Sequence, residues 1–435
     1  IDVEETNTGE LSFGGGFSSQ VGGLLNLGIS ERNFLGKGQR VSLQAKFSER
    51  ESDYTMSFSE PYFLNRDVYA STNLDNNKID YKESSYDLER QGMNISANYT
   101  LGEYIRQNIR YSLESRNLSP RSGASASIVA EKGETVLSEI STALNIDTTD
   151  NQRLPTEGYV FSIASAFAGL GGDKEFLRIN NNGNYYHAFN DAAIILNLEY
   201  NAGVIMGIGQ DILISDRYFL GGNSFRGFDQ SGIGPRDKNN SDSLGGNIFY
   251  TSSIKTSFGV GLPPELGIRA NWFATIGSLT GVDNSSVSFH DDSSIRMSSG
   301  VGLSWNSPFG PISIIFSQAI LKEDYDKTES VSFGIGTKFE QYDDIFLSPR
   351  IELAFDDLSV DDSASKSLKR QEGSFADLTF FYGVEKDTRD RSFMPTRGSI
   401  FGFRQGLPIY AEDQAALYNK LSINSPLARG LIGKA

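Results

Sequence analysis

The chain has no cysteine, only two histidines and two tryptophans, and no apolar run long enough to cross a bilayer as a helix. Without cysteine there is neither a disulfide framework nor a thiolate zinc site. Two histidines leave little room for a histidine-rich metal or catalytic centre. Basic residues number 39 against 55 acidic ones, a net charge of −16, which is a poor balance for holding nucleic-acid phosphates. Apolar stretches such as Ala192 to Leu196 fall far short of the roughly 18 residues that a spanning helix requires. The chain does not open on a basic region followed by an apolar core, so no secretory signal is expected and the N-terminus reads as a cut or processed one. Membrane strands escape these exclusions, since each needs only about ten residues of alternating character.

What the chain does have is 45 glycines, 29 phenylalanines, 19 tyrosines and a period of two from end to end. Val331, Phe333, Ile335, Thr337 and Phe339 alternate with Ser330, Ser332, Gly334, Gly336 and Lys338. Val41, Leu43, Ala45 and Phe47 alternate in the same way with Ser42, Gln44, Lys46 and Ser48. Such runs are strands with one apolar and one small or polar face. No convincing amphipathic helix interrupts them. A soluble β-sandwich would also alternate, but the breaks fall into two classes. Compact turns (Phe34 to Gly38, Glu60 to Phe63, Arg153 to Gly158, Ser307 to Pro311) are interspersed with long polar segments, notably Asp211 to Gly246 and Gly281 to Ser294. Short turns at one rim and long loops at the other are the outer-membrane pattern. Aromatic residues beside the compact turns, Phe34, Tyr62, Phe63, Tyr104 and Phe309, suit an interfacial girdle. The expected fold is all-β, a transmembrane antiparallel barrel of about 16 strands. These begin near Glu10, Leu24, Arg40, Tyr54, Val68, Tyr86, Ile105, Glu134, Tyr159, Glu175, Ala192, Gly246, Leu266, Ser294, Pro311 and Thr328.

The most distinctive segment runs from Ser215 to Asp229, followed by Ile233 to Asp237. Its glycines at 221, 222 and 227 permit unusual backbone angles, and Arg226 sits between apolar neighbours where a solvated loop seldom places it. A flexible external loop and a loop folded back into the lumen both fit. Here the sequence resembles the BamA family of the bacterial surface antigen superfamily, and its alphaproteobacterial members more closely. Phe225-Arg226-Gly227-Phe228 matches the family's lumen-loop motif. Further matches follow in order: Thr8 to Gly14, Glu31 to Gly36, Phe58 to Phe63, Pro155 to Tyr159 and Gly300 to Pro311.

The resemblance implies insertion and assembly of β-barrel proteins in the bacterial outer membrane. Unfolded outer-membrane proteins would be clients, with outer-membrane lipids and accessory lipoproteins as partners and no nucleic acid. It implies that Ile1 to Glu5 closes the last periplasmic POTRA domain, so that residues 1–8 end that domain and 9–339 form the barrel. It implies a lateral seam between a first strand carrying Leu11, Phe13, Gly14, Gly15 and Gly16 and a last strand carrying Phe333, Ile335, Gly336 and Phe339. In the family the motif arginine is held by acidic residues of nearby strands. The matching positions are Lys255 and Thr275, the candidate contacts of Arg226. Lysine would repel it and threonine offers a neutral hydrogen bond, so Arg226 is expected in the lumen with a different partner. A passive outer-membrane pore or polypeptide secretion channel is the alternative reading, and a soluble β-rich binding protein a remote third.

Residues 340–435 continue beyond the expected terminal aromatic. They alternate too, and Asp387 to Gly398 repeats Asp147 to Gly158 at an offset of 240 residues. The segment reads as a partial barrel-like repeat of the strands spanning roughly residues 104 to 185. A truncated tandem barrel, a join between two related genes, or a captured substrate-like segment would each produce it. No enzyme signature or cofactor motif stands out. His187 and His290 lie far apart, the acidic pairs Asp291-Asp292, Asp343-Asp344 and Asp361-Asp362 lack calcium-loop spacing, and Gly14 to Gly16 precede no phosphate-binding helix.

Overall fold

A computed structural model of the chain describes residues 9–152, 155–190, 193–262, 267–283, 288–307, 310–336, 345–347, 350–358, 373–387, 400–411 and 418–424. The chain divides into two units, residues 1–338 and 339–435. Strands of the first unit are β1 (Gly9–Ser18), β2 (Gly22–Phe34), β3 (Gln39–Ser48), β4 (Glu51–Glu60), β5 (Val68–Tyr81), β6 (Tyr86–Gly102), β7 (Ile105–Pro120), β8 (Gly133–Asp147), β9 (Gly158–Gly172), β10 (Phe176–Phe189) and β11 (Ile194–Gly207). They continue with the two-residue β12 (Arg236–Asp237), β13 (Ile248–Gly259), β14 (Ile268–Thr280), the two-residue β15 (Phe289–His290), β16 (Arg296–Ser307), β17 (Gly310–Leu321) and β18 (Val331–Gly336). All but β12 and β15 join a closed antiparallel barrel of sixteen strands in which each pairs with its chain neighbour and β18 returns to β1. Every barrel strand begins within three residues of the position that alternation indicated. The expected Ile1 to Glu5 strand lies outside the described residues.

Alternation sets the two faces of the wall. Leu43, Leu74, Ile95, Ile109, Leu113, Ile163, Ile254, Val301 and Phe316 are exposed on the outside, and their polar neighbours along each strand face the lumen. A closed sheet with an apolar exterior satisfies every ladder within itself, which is what a lipid environment demands. The rims differ. Connections 121–132, 208–247, 281–295 and 322–330 leave from one rim, while each of the connections at the other, between β2 and β3, β4 and β5, β6 and β7, β8 and β9, β10 and β11, β13 and β14, and β16 and β17, spans no more than ten residues. The loop asymmetry is concentrated in the second half, because 19–21 and 49–50 at the long-loop rim are tight turns. Phe34, Tyr62, Phe63, Tyr104, Tyr159, Phe189, Phe258 and Trp305 all lie exposed at the short-turn rim, an aromatic girdle. Phe309 lies outside the described residues.

Most of the buried apolar residues described in the barrel form three clusters, and each includes residues of the 208–247 connection. Ile214 and Leu244 pack with Tyr86, Leu88, Leu118 and Ile128. Ile212 packs with Leu137, Ala168, Phe176 and Ile205. Leu220, Phe225, Phe228 and Ile233 pack with Leu279. This connection therefore folds inward and supplies the core of the long-loop end.

The second unit has β19 (Ile345–Leu347), β20 (Arg350–Leu358), β21 (Gly373–Asp387), β22 (Ile400–Ala411) and β23 (Tyr418–Asn424). β19 and β20 both pair with β21, which pairs with β22, which pairs with β23. The segment Asp387 to Gly398 lies outside the described residues except for Asp387.

Candidate functional site: a latched loop inside the barrel

The lumen loop is built on glycines that only its fold requires. Gly221 has φ +136, and a Cβ there would sit 1.9 Å from the Asp229 carbonyl oxygen. Gly227, at φ +95, has no room either, since a Cβ would meet that of Ser298 on β16 at 2.9 Å. Two buried arginines then staple the loop to itself. Arg217 donates to the carbonyls of Ile212 and Leu244, and Arg236 to those of Ser231 and Ser241. Each satisfies carbonyls that an irregular buried segment would otherwise leave without partners. Burial lowers the pKa of Arg217, against the attraction of Glu131 and Asp283.

The motif docks on the inner face of β14. Phe225 lies against Gly277, whose missing Cβ would be 3.0 Å from its ring. Phe225 and Phe228 meet edge to face at 5.2 Å between centroids. The Arg226 guanidinium stands over the buried Phe273 ring, 5.6 Å from its centroid, a cation–π arrangement in a desolvated place. Arg226 therefore lies in the lumen with a partner other than the two positions considered. Lys255 pairs with Glu199 on β11, and Thr275 exchanges a 2.9 Å hydrogen bond with Ser253. Among the described residues no carboxylate comes within ion-pair distance of Arg226, and its Nε has no acceptor. Burial depresses its pKa, opposed by the attraction of Glu199. Glu199, which holds Lys255, thus also attracts Arg226.

The strongest electrostatic feature is one the sequence reading did not single out. Asp216, at the start of the loop, accepts from Arg116 on β7 at 2.6 Å and from Lys174 in the β9–β10 turn at 2.7 Å. Arg178 on β10 approaches it at 3.7 Å and donates to its backbone carbonyl at 3.1 Å. Burial disfavours the Asp216 carboxylate, but Lys174 and Arg116 outweigh it and hold the group below the usual carboxylate range. A second buried pair, Arg296 with Asp326, fixes the 322–330 connection. That connection bonds the loop in turn: Asp229 N donates to Lys327 O, Lys327 N to Gly232 O, and Glu329 N to Gly227 O. From the other side Gln20, just after β1, lies where a Cβ on Gly222 would be 3.1 Å from its amide. The loop is thus bonded to the segment ahead of β18 and lies beside a residue just after β1.

That closure rests, among the described residues, on Gly16 opposite Gly336, Phe17 opposite Ile335 and Ser18 opposite Gly334. On its other side β1 pairs with β2 throughout, with Leu11, Phe13, Gly14 and Gly15 opposite Ile29, Leu27, Asn26 and Leu25. Phe333 faces Ile314 across β17 and exchanges two hydrogen bonds with Ser19. Phe339 lies outside the described residues.

The Omp85 superfamily domain matches residues 33–339 and 347–429. The chain belongs to the Omp85 superfamily. Within this superfamily it is similar to the outer membrane protein assembly factor BamA of Neorickettsia risticii, 33% identical over 78% of this chain and 46% of that protein. It is also similar to the BamA of Nitratidesulfovibrio vulgaris, 29% identical over 72% of this chain and 39% of that one. The chain spans about half the length of these Omp85 relatives, or less. Its fold is that of the crystal structure of BamA from Haemophilus ducreyi lacking POTRA domains 1–3. There the TM-score is 0.70 with 21% identity, covering 77% of this chain and 71% of that one.

Other chemistry-bearing residues have structural employment. His290 stacks on Tyr325 and His187 stands edge-on to Phe189. Asp291 accepts from Thr280 and the Gly281 amide. Among the described residues no three His, Asp or Glu side chains are grouped to hold a metal ion.

Proposed function

We propose that this barrel inserts and assembles β-barrel proteins in the bacterial outer membrane, and that it does so through a lateral seam between β1 and β18. Membership of the superfamily and the names of the BamA relatives support the coarse reading. The seam reading rests on the tie just described: the motif loop bonds Lys327 and Glu329 ahead of β18 and lies against Gln20 behind β1. A change in the loop is thereby a change at both closing strands. Two of the three described closing pairs contain glycine, which forgoes the roughly 0.2–1 kcal/mol that a cross-strand side-chain pair contributes. Parting them exposes backbone donors and acceptors to which an incoming strand adds by β-augmentation. The client's own folding supplies the driving force. Unfolded outer-membrane proteins are the clients, outer-membrane lipids the surroundings, and accessory lipoproteins the expected partners.

The test is to reconstitute the full chain in liposomes and time the folding of an unrelated barrel client. The Gly16→Cys, Gly336→Cys double variant is compared oxidised and reduced. Acceleration by the natural chain, lost on oxidation and regained on reduction, is the expected result. No acceleration by the natural chain rejects assembly, and steady ion conductance in its place supports a pore. Acceleration that survives the disulfide rejects the seam alone.

A further inference from the structure

Among the described residues, eight that are not glycine have positive φ, and six of these are serine or asparagine. The other two are Leu35, at φ +55, and Leu64, at φ +56. Left-handed backbone is costly for leucine, whereas asparagine enters it readily. The same two leucines are the most exposed large apolar side chains among the described residues, at 73% and 76%, against 49% for Leu43 on the lipid face of the wall. Strain and exposure thus coincide on two side chains that the protein's own core does not use, and strain of this kind points to a role outside folding.

Both leucines occupy the same turn, used twice. Phe34-Leu35-Gly36-Lys37 leads from β2 towards β3, and Phe63-Leu64-Asn65-Arg66 lies between β4 and β5. In each, the amide of the last residue donates to the phenylalanine carbonyl, at 3.3 Å from Lys37 and 3.2 Å from Arg66. The amide before it donates to the carbonyl one step earlier, Gly36 to Asn33 at 2.9 Å and Asn65 to Tyr62 at 3.0 Å. Gly36 at φ +70 and Asn65 at φ +56 complete a left-handed pair at the centre of each turn. Turns of that form ordinarily place asparagine, aspartate or glycine first, and here leucine stands there instead. The two turns are neighbours at the short-turn rim, where the Gln39 side chain donates to Glu60 at 2.6 Å.

The surroundings of the tips identify what covers them. Phe34, Tyr62 and Phe63, in or beside the same turns, belong to the exposed aromatic girdle that marks the level of the lipid headgroups. The charges within the two connections are Lys37 and Arg66 against the single carboxylate Asp67, all exposed. Among the described residues neither cation has an ion-pair partner. Long basic side chains lay their stems along apolar surface and carry the charge out to polar groups such as phosphate.

We propose that Leu35 and Leu64 are a pair of pins seated at the headgroup–acyl boundary of the leaflet at the short-turn rim, with Lys37 and Arg66 on phospholipid phosphates. Strands β2 to β5 follow β1 in the barrel order, so the pins fix the depth of the wall beside the closing strand.

The test exploits the lack of cysteine. Leu35→Cys and Leu64→Cys each supply one thiol, and Gln152→Cys, exposed in the β8–β9 connection at the same rim, supplies a reference. Each full-chain variant is labelled with bimane and reconstituted in phosphatidylcholine–phosphatidylglycerol vesicles. It is then quenched by iodide on both sides of the membrane, or by lipids brominated near the headgroup end of the acyl chain. The dye's own affinity for lipid is common to all three positions. Both tips should be quenched by the brominated lipid, with iodide quenching constants roughly fivefold below that of the reference. Adding Leu35→Asn, which suits the left-handed backbone, to the Leu64→Cys variant should raise its iodide constant about twofold or more. Iodide constants equal to the reference without lipid quenching overturn the proposal and leave the tips as a water-facing surface for a protein. Protection from iodide without lipid quenching, lost when the protein is diluted into excess lipid, also overturns it and assigns the tips to a second copy of the chain. An unchanged constant on adding Leu35→Asn overturns the pairing of the pins.

Discussion

Removing the Asp216 charge should unlatch the lumen loop while leaving the barrel wall intact. The carboxylate contacts Arg116 and Lys174 at 2.6 and 2.7 Å, and all three side chains are 9% exposed or less. Breaking such a pair leaves buried cations without compensation and costs about 3–5 kcal/mol. Asparagine keeps the shape and one acceptor, so Asp216→Asn falls near the lower end, about 3 kcal/mol or roughly a hundredfold in loop opening. Because the chain has no cysteine, Ser243→Cys supplies a single thiol at a fully buried loop position. Its maleimide labelling rate then measures opening alone. Adding Lys174→Met removes one of the excess cations and should recover part of the protection. Labelling of Asp216→Asn at the natural rate would refute the latch. The pH dependence has a definite sign. Since the folded pKa of Asp216 lies below its unfolded value, its contribution is complete above the ordinary carboxylate range. It is lost progressively as pH falls from the ordinary carboxylate range through the lowered folded value. Protection should therefore decline across that range and vanish only below it.

Gly227→Ala forces a side chain into φ +95 and against Ser298, at about 1–3 kcal/mol; the same thiol assay should register a tenfold or larger increase in labelling. Val301→Arg places a charge on the lipid face of β16, costing about 2–4 kcal/mol if at mid-membrane, while Gln44→Arg on the lumen side of β3 should cost little; urea unfolding from vesicles separates the two. Asp150, in the β8–β9 connection, should titrate at about 2, because the Thr156 hydroxyl and the Glu157 and Thr156 amides donate to its carboxylate. An NMR titration placing it near 4 would contradict that turn geometry.

Local pattern made the barrel legible. A strand with one lipid face writes its own alternation, and glycine or proline turns punctuate it, so Leu43 and Ile109 announce their direction without reference to anything distant. The motif loop was legible as a segment because Arg226 between phenylalanines is anomalous in a solvated loop. Its partners were not. Asp216 meets Arg116 across 100 residues of chain and Lys174 from a tight turn, and neither cation stands out from ordinary lumen or turn charge in sequence. Matching by position pointed to Lys255 and Thr275, whereas the attraction reaching Arg226 comes from Glu199 on a neighbouring strand. Charge compensation in a barrel interior is shared around the circumference, and one-dimensional spacing does not encode it.

The four-strand repeat has a further consequence that concerns parity. β7 enters and β10 leaves at the same rim, so the block begins and ends on one side of the membrane. A block of this kind can be gained or lost without inverting anything that follows, whereas three or five strands would deliver every later loop to the opposite compartment. A single two-strand hairpin is thus the smallest unit in which such walls can exchange sequence, and the 240-residue echo has the even count that this rule demands.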